Sequence, residues 1–378
     1  MNGIEGNIVI NCNWTPQGAE QISVVSTRST QISRIFQGQE FDKATSLLPV
    51  FFTLCSNAHT SAALVASNNY STMSEEVSKH YQFAVMLETL KEHLIRILLY
   101  WPKLFNLPKV EFPFHKLTQL INSLLEKTFH QGKIANGIKK EFSSIDTSNE
   151  IELLKKLIES WLIGQSISSW KEKSDFEKLK NWKTSNRSII ANILKLIENN
   201  NWQQQAQTDI EFLPQFNQKQ IGSLFSDKQI SSIPTWKKRC CETSCLSRYK
   251  DNSLISSINN VYGNGLYTRI VAKVVELVDL MSFLEKKESA SIISSFSDVG
   301  IASVETARGR LIHRVELEGN HIKKFQIIAP TEWNFHPEGA IASGLSNIVA
   351  KSKCEFNKLA QIFISALDPC VNHQLRVY

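Results

Sequence analysis

Two short motifs each place one thiol beside one imidazole. Thr53-Leu54-Cys55-Ser56-Asn57-Ala58-His59 lies near the start of the chain and Asp368-Pro369-Cys370-Val371-Asn372-His373 near its end. Cys55 and His59 are four residues apart in a stretch that reads as helix, which would put both side chains on one face. There a thiolate and an imidazole can share a metal, or the imidazole can hydrogen-bond the sulfur. Equally, the pair reads as a buried cysteine beside a satisfied histidine. Cys370 and His373 have the i, i+3 spacing of many metal-binding pairs, and Pro369 fixes the backbone just ahead of the thiol. Each motif offers a single thiol, so a shared site requires folding to join the two ends. A third group, Cys240, Cys241 and Cys245, has no histidine or fourth cysteine nearby in sequence to close a tetrahedral site. It reads as ordinary core or surface cysteine.

The elements that must position these residues follow from hydrophobic period and turn chemistry. Runs over 8–13 and 21–27 flank Pro16-Gln17-Gly18 and predict a hairpin. From Asp42 the pattern is helical. Residues 75–101 carry an apolar stripe through Val77, Phe83, Leu87, Leu90, Leu94, Ile97 and Leu98, with Thr72 and Glu75 as a capping box and Pro102 as the stop. A helix from Thr147, with Glu150 three residues on, is expected to bury Leu153, Leu154, Leu157, Ile158 and Trp161. Residues 165–235 are rich in Ser, Asn, Gln and Lys and read as a peripheral polar insertion with one helix near 189–197. Helical pattern resumes over 254–285. Strands over 311–317 and 322–328 flank Glu318-Gly319-Asn320-His321, a second hairpin, and a helical tail over 357–366 ends against Asp368-Pro369. Together these give one α+β, predominantly α-helical domain over 1–378, with small β-hairpins near both ends.

Composition narrows the function class. The chain has 378 residues, 42% apolar and 21% charged, which suits a packed globular protein. Its net charge of +6 is mild and spread along helical patterns, so no basic stripe points to nucleic acid. No apolar run approaches the ~20 residues of a membrane span. The first residues, Met1 to Asn7, have neither the basic start nor the apolar run of a signal peptide. Seven irregularly spaced cysteines read as reduced thiols. A cytoplasmic protein with no membrane and no nucleic-acid partner is expected.

The most specific signal lies around the second hairpin. Residues 305–313 read Glu305-Thr306-Ala307-Arg308-Gly309-Arg310-Leu311-Ile312-His313. Residues 328–337 read Ile328-Ala329-Pro330-Thr331-Glu332-Trp333-Asn334-Phe335-His336-Pro337. The pair resembles the Arg-Gly … His … Ala-Pro-Thr-x-Trp-Asn segment of nickel–iron hydrogenase large subunits. With it, Val50 to His59 resembles that family's Arg-Ile-Cys-Gly-x-Cys-x-x-Ala-His, and Asp368 to Arg376 its Asp-Pro-Cys-x-x-Cys-x-x-His. The resemblance implies the large-subunit fold. It also implies that Arg308 and Thr331 receive the cyanides of an iron carrying cyanide and carbon monoxide. For Trp333, Asn334 and His336 the structural reading, packing and turn formation, is preferred.

The departures from the family pattern carry as much information. Phe52 and His373 stand where the family has the partner cysteines of Cys55 and Cys370. Two thiolates are not the all-sulfur cradle that nickel requires, so nickel is not expected. Arg376 replaces the final metal-binding histidine, so magnesium is not expected either. No Arg-Gly-x-Glu motif supplies a proton-relay glutamate, since Gln37-Gly38-Gln39-Glu40 lies too near Cys55. No removable extension is expected beyond Tyr378. Residues 88–102 and 242–248 resemble the family's non-catalytic branch, the large-subunit-like hydrogenase expression/formation proteins. That resemblance implies an accessory protein rather than an enzyme, with other maturation proteins and the hydrogenase large subunit as partners. In this reading Cys55 and Cys370 hold the iron fragment transiently, Arg308 and Thr331 cradle its cyanides, and His59 tunes the Cys55 thiolate. Three alternatives stand beside it: a hydrogenase-subunit chaperone that binds no iron, a catalytic hydrogenase subunit, and a site-less relative comparable to the quinone-site subunit of respiratory complex I.

Overall fold

The structure, a computed structural model, describes residues 6–28, 32–67, 74–109 and 111–378. Two helices of 21 residues, Glu75–Ile95 and Leu266–Lys286, pack against each other at its centre. The second is buried around nearly its whole circumference, from Leu266 to Leu284, as expected of a helix apolar on every face. Its charged exceptions are all paired. Arg269 forks onto Glu242 at 2.5 and 2.8 Å, Lys273 reaches Asp368 at 3.3 Å, and Glu276 meets Arg248. These pairs keep three charges in an apolar interior, where an unpaired one would be strongly destabilising.

Where helix limits differ from expectation, local chemistry explains it. Thr72 lies outside the described residues; Ser74 caps the Glu75–Ile95 helix, accepting from the Val77 amide at 3.2 Å. The helix does not stop at Pro102. It widens into a π turn over Arg96–Tyr100 and continues as Trp101–Leu104, where Pro102 sits in the first turn and its missing N–H is harmless. Thr147 occupies the cap of Ser148–Leu157 without a side-chain hydrogen bond, and Glu150 instead pairs with Lys127 at 2.6 Å. Residues 165–235 form four helices, Ile167–Lys171, Phe176–Ser185, Ile189–Asn199 and Gln218–Leu224. Trp170, Trp182, Ile193, Leu194 and Trp202 enter the same apolar cluster as the central helices, so this segment is not peripheral. Its polar composition belongs to outer faces, and an average over both faces hid the inward tryptophans.

Two larger sheets, besides a short parallel pair of Glu211–Phe212 with Cys241–Glu242, complete the fold. Strands Asn7–Thr15 and Gly18–Ser26 form the expected hairpin, and Asn372–Val377 adds in parallel to the first, with His373 opposite Ile8. A four-stranded antiparallel sheet runs Ile293–Phe296, Ile301–Thr306, Gly309–Glu318 and His321–Ile328. Helix Ser56–Ala66 lies on it, and Ala58, Ala62, Ala63 and Ala66, all fully buried, permit the close approach. Helix Lys353–Leu367 ends at Asp368, whose left-handed φ of 59° turns the chain toward Cys370.

Candidate metal centre

Cys55 and Cys370 line one small pocket of about 20 Å³, so folding joins the two ends as the half-motifs require. Cys55 is not inside the helix expected for it. It is the N-cap residue of Ser56–Ala66, and the turn is fixed from outside by Glu88, which accepts from the Asn57 and Ala58 amides at 2.7 and 3.1 Å. Capping amides and the helix dipole favour a carboxylate there. Burial, with Cys370 and Glu88 adding to it, pushes the Cys55 thiol well above its ordinary range, against the pull of Arg308 and Arg28. Burial also pushes Glu88 up to about 7, although the two amides oppose it. Cys370 is held by Thr331, whose Oγ1 accepts the Cys370 amide at 3.3 Å and donates to its Sγ at 3.0 Å. Pro330 opens the short helix Pro330–Asn334 that presents this threonine.

Arg308 sits in the two-residue turn between Ile301–Thr306 and Gly309–Glu318. Its amide donates to Thr306 Oγ1 at 3.2 Å, and its carbonyl accepts from Asn334 Nδ2 at 3.1 Å. Asn334 also ties to the Thr243 amide and carbonyl, which makes it a structural clamp as expected. Gly309 (φ 128°) passes so near the Thr243 carbonyl that a Cβ would collide with it, so glycine is required there. The guanidinium is 3% exposed and gives Nη2 to Glu92 at 2.7 Å, while Nε lies 3.9 Å from Asp368. Burial alone would weaken its charge, but Asp368, Glu92 and the two thiols raise its pKa above the ordinary arginine value. Nε and Nη1 are buried with no hydrogen-bond acceptor among the described residues. Burial would likewise raise Asp368, yet Arg96, Lys273 and Arg308 hold it far below the usual carboxylate range. These donors suit a cyanide nitrogen, which remains a strong acceptor when its carbon is bound to iron.

His59 takes a different place from the one expected. Its ring stacks on Phe52 at 3.7 Å and 2°, and its Nδ1 is 3.0 Å from His313 Nε2. No hydrogen bond joins its ring to the Cys55 thiol among the described residues; the His59 amide instead donates to the Cys55 carbonyl at 3.0 Å, as the first turn of the helix requires. Burial, then His313 and Arg28, push the His59 pKa down, which keeps the ring neutral. His373 lies on the Asn372–Val377 strand with Nε2 3.3 Å from Gln361 and does not line the thiol pocket.

Sequence spacing missed a second cysteine site. Cys245, His93 and Glu276 come together with their ligand atoms within 4.8 Å of one another. The histidine absent from the neighbourhood in sequence arrives from the Glu75–Ile95 helix. Arg248 occupies this cluster, giving Nε and Nη2 to Glu276 at 2.7 and 2.8 Å, Nη1 to Glu305 at 3.0 Å, and Nη2 also to the Thr306 carbonyl. Cys240 likewise has a distant partner, His336 Nδ1 at 3.1 Å. Arg28, Glu88 and Glu332 were not foreseen either. Arg28 lines the thiol pocket and meets Glu332 at 3.0 Å. A lone arginine after a hairpin carries no motif, and Glu88 announced itself only as part of the 88–102 resemblance.

Comparison with known proteins agrees with the geometry. Residues 242–371, which include Arg308, Thr331 and Cys370, match the nickel-dependent hydrogenase family. The chain is 24% identical over 367 residues to the hydrogenase expression/formation protein HoxV of Cupriavidus necator, covering 92% of this chain and 91% of that one. It is 23% identical over 359 residues to the expression/formation protein HupV of Azotobacter chroococcum, with the same coverage. Against HupK of Bradyrhizobium diazoefficiens it is 31% identical over 118 residues, 29% of this chain and 33% of that protein. The backbone superimposes on the as-isolated oxidized Ni-Fe-Se hydrogenase of D. vulgaris Hildenborough with a TM-score of 0.62, 13% identity and 93% coverage of both chains. The reduced Ni-Fe-Se hydrogenase of Desulfomicrobium baculatum gives 0.58, 13% and 95%. These structures establish the large-subunit fold, α+β and mostly helical. Among the described residues, no helix is long and apolar enough to cross a membrane.

Proposed function

We propose, from the premise that this chain carries a nickel-dependent hydrogenase large-subunit-like domain related to expression/formation proteins, that it serves hydrogenase maturation as a carrier for the iron–cyanide–carbonyl fragment. The fragment is cargo, held before transfer to the true large subunit with the help of other maturation proteins. The observation that carries this reading is the pairing of two thiols in one pocket, within electrostatic reach of the buried Arg308 guanidinium, whose Nε and Nη1 have no acceptor among the described residues. Cys55 and Cys370 anchor the iron, Arg308 donates to one cyanide, and the Thr331 hydroxyl turns from the Cys370 sulfur to the other. Sulfur is a weak acceptor, so that exchange is inexpensive. His59 has a supporting part, holding Phe52 against the pocket through its stacked ring. Phe52 and His373 in place of thiols leave two protein ligands, which suits a carrier that must release what it binds.

Two features shape loading. A pocket of about 20 Å³ has room for roughly one water-sized body, so the diatomic ligands require its walls to yield. Leu54, which lines the pocket and is 39% exposed, is the wall best placed to move. Cys55 is held as a thiol, so binding displaces a proton and loading strengthens with rising pH.

The test is infrared spectroscopy of protein purified anaerobically from cells that are maturing hydrogenase. Cyanide and carbonyl bands in the wild type, lost in Cys55→Ala and Cys370→Ala, are expected. Abundant intact protein without bands would favour an iron-free subunit chaperone, and hydrogen uptake by the isolated chain would favour a catalytic subunit.

A further inference from the structure

Four arginines near this site, Arg269 and Arg308 buried and Arg28 and Arg248 half-buried, fall into two kinds. Arg248 commits Nε, Nη1 and Nη2 to carboxylates, and Arg269 sets Nη1 and Nη2 on the two oxygens of Glu242, leaving only its Nε without a partner among the described residues. Such forks are how a guanidinium is neutralised in an interior. Arg308 gives one nitrogen to Glu92 and leaves two without an acceptor. Arg28 follows the second pattern. Its side chain is 10% exposed, and both of its contacts to Glu332, at 3.0 and 3.2 Å, come from Nη1 alone. Nε and Nη2 make no hydrogen bond among the described residues. Arg28 is also the one charged side chain lining the thiol pocket among those residues, set with Phe51, Phe52, Leu54 and Val371 around Cys55 and Cys370. Glu332 itself is on the far side, lining with Arg28 and Thr331 a separate cavity of about 280 Å³.

An ion pair serving only the fold would gain by turning both prongs onto the carboxylate. Holding a guanidinium by one nitrogen, with the remainder beside two thiols, is the arrangement of an anion receptor. We propose that Arg28 is a binding residue for the iron fragment, a second guanidinium that meets the loaded thiol pair from within the pocket. The inference rests on the carrier reading above. Ferrous iron with two cyanides, one carbon monoxide and two thiolates carries two net negative charges, and each cyanide nitrogen is a strong acceptor. Arg308 supplies one cationic donor and Arg28 supplies the other.

Iron content and infrared spectra of anaerobically purified wild type, Arg28→Gln, Arg28→Lys and Glu332→Gln test this, with circular dichroism and denaturant unfolding to confirm folding. In Arg28→Gln we expect retained iron to fall roughly tenfold, the loss of one charge-assisted donor, with displaced cyanide bands in what remains. Arg28→Lys keeps the charge without the planar fork and should hold an intermediate amount. Glu332→Gln frees Arg28 and should retain iron at the wild-type level or above. Equal loss of iron in Arg28→Gln and Glu332→Gln would overturn the proposal, since the pair would then matter only as a structural link. Unchanged iron and unchanged bands in Arg28→Gln would overturn it as well. If Arg28→Gln does not fold, Arg28→Lys decides: bands identical to wild type overturn the proposal, and shifted bands at wild-type stability support it. Wild type without any bands sinks the carrier reading and this inference with it, whereas bands indifferent to Arg28 but sensitive to Cys370 sink this inference alone.

Discussion

The chain builds two cysteine sites against the same two central helices, and they are finished to different degrees. Around Cys245, the His93 imidazole donates to Glu276 at 2.9 Å and Arg248 commits every guanidinium nitrogen, so the charges are paired and only His93 Nδ1 is left without a partner among the described residues. Around Cys55 and Cys370, Arg308 keeps two buried donors without acceptors among the described residues, and Arg28 meets Glu332 through Nη1 alone. Volume misleads here. The larger cavity, about 520 Å³, opens beside the closed network at Arg248 and Glu276, and the thiol pair has only about 20 Å³. What separates a site awaiting a ligand from a structural anchor is incomplete satisfaction of buried polar groups, which a fold tolerates only where something else completes them.

That contrast breaks first under cysteine substitution. Cys55→Ala or Cys370→Ala should abolish iron and its infrared bands, and Cys245→Ala should leave both at wild-type levels. A Cys245→Ala protein without bands would make the two sites one. Stability should show the reverse order. Arg248→Ala leaves the buried Glu276 with His93 alone, while Glu305 keeps Arg310, and should cost about 3–5 kcal/mol, whereas Arg308→Gln, with Asp368 still held by Arg96 and Lys273, should cost about 1–3 kcal/mol in urea unfolding.

Acid should open the closed site. Burial would raise Glu276, but Arg248 and His93 hold it at about 2, against 4.5 when free. Burial, with Lys273 beside it, lowers His93 from 6.5 to about 4. For both groups the unfolded chain binds more protons, so stability is lost as pH falls, from about 6.5 for His93 and down to about 2 for Glu276. Each contributes on the order of 3 kcal/mol if taken alone. Thermal unfolding of wild type and Arg248→Ala across pH 3–7 checks this, and the variant should have the flatter acid limb. The smallest effect belongs to Glu88, raised from 4.5 to about 7. The folded chain holds that proton more tightly, so its contribution fades as pH rises from 4.5 through 7. Glu88→Gln should therefore gain roughly 2–3 kcal/mol on wild type between pH 5 and pH 8.

The readable parts of the site were those written as contiguous strings. Cys55, Cys370, Arg308 and Thr331 each sit in a motif of several residues, and the hairpins announced themselves through turn chemistry. Arg28, Glu88 and Glu332 are single residues whose meaning comes from partners on other elements, and no local period marks them. His93 and Cys245 belong to different helices far apart in sequence, so the spacing argument that set Cys245 aside had no means of seeing its histidine. The helical shift at Cys55 has a local cause: Glu88 caps the amides of Asn57 and Ala58 and starts the helix one residue after the thiol. The tryptophans of 165–235 were obscured by the polar residues between them, which cover the outward faces of short helices.

The parallel pairing of Asn7–Thr15 with Asn372–Val377 has a kinetic meaning. Cys370 is anchored next to a strand whose partner was synthesised at the other extreme of the polypeptide. Contacts of such long sequence separation are slow to form. The thiol pocket is consequently among the last features to assemble, after the helical centre has condensed. A chain lacking residues 372–377 would still carry Cys370 but lose the strand pairing that anchors it beside Cys55. The pairing of the two thiols is thereby made a property of the fully folded chain.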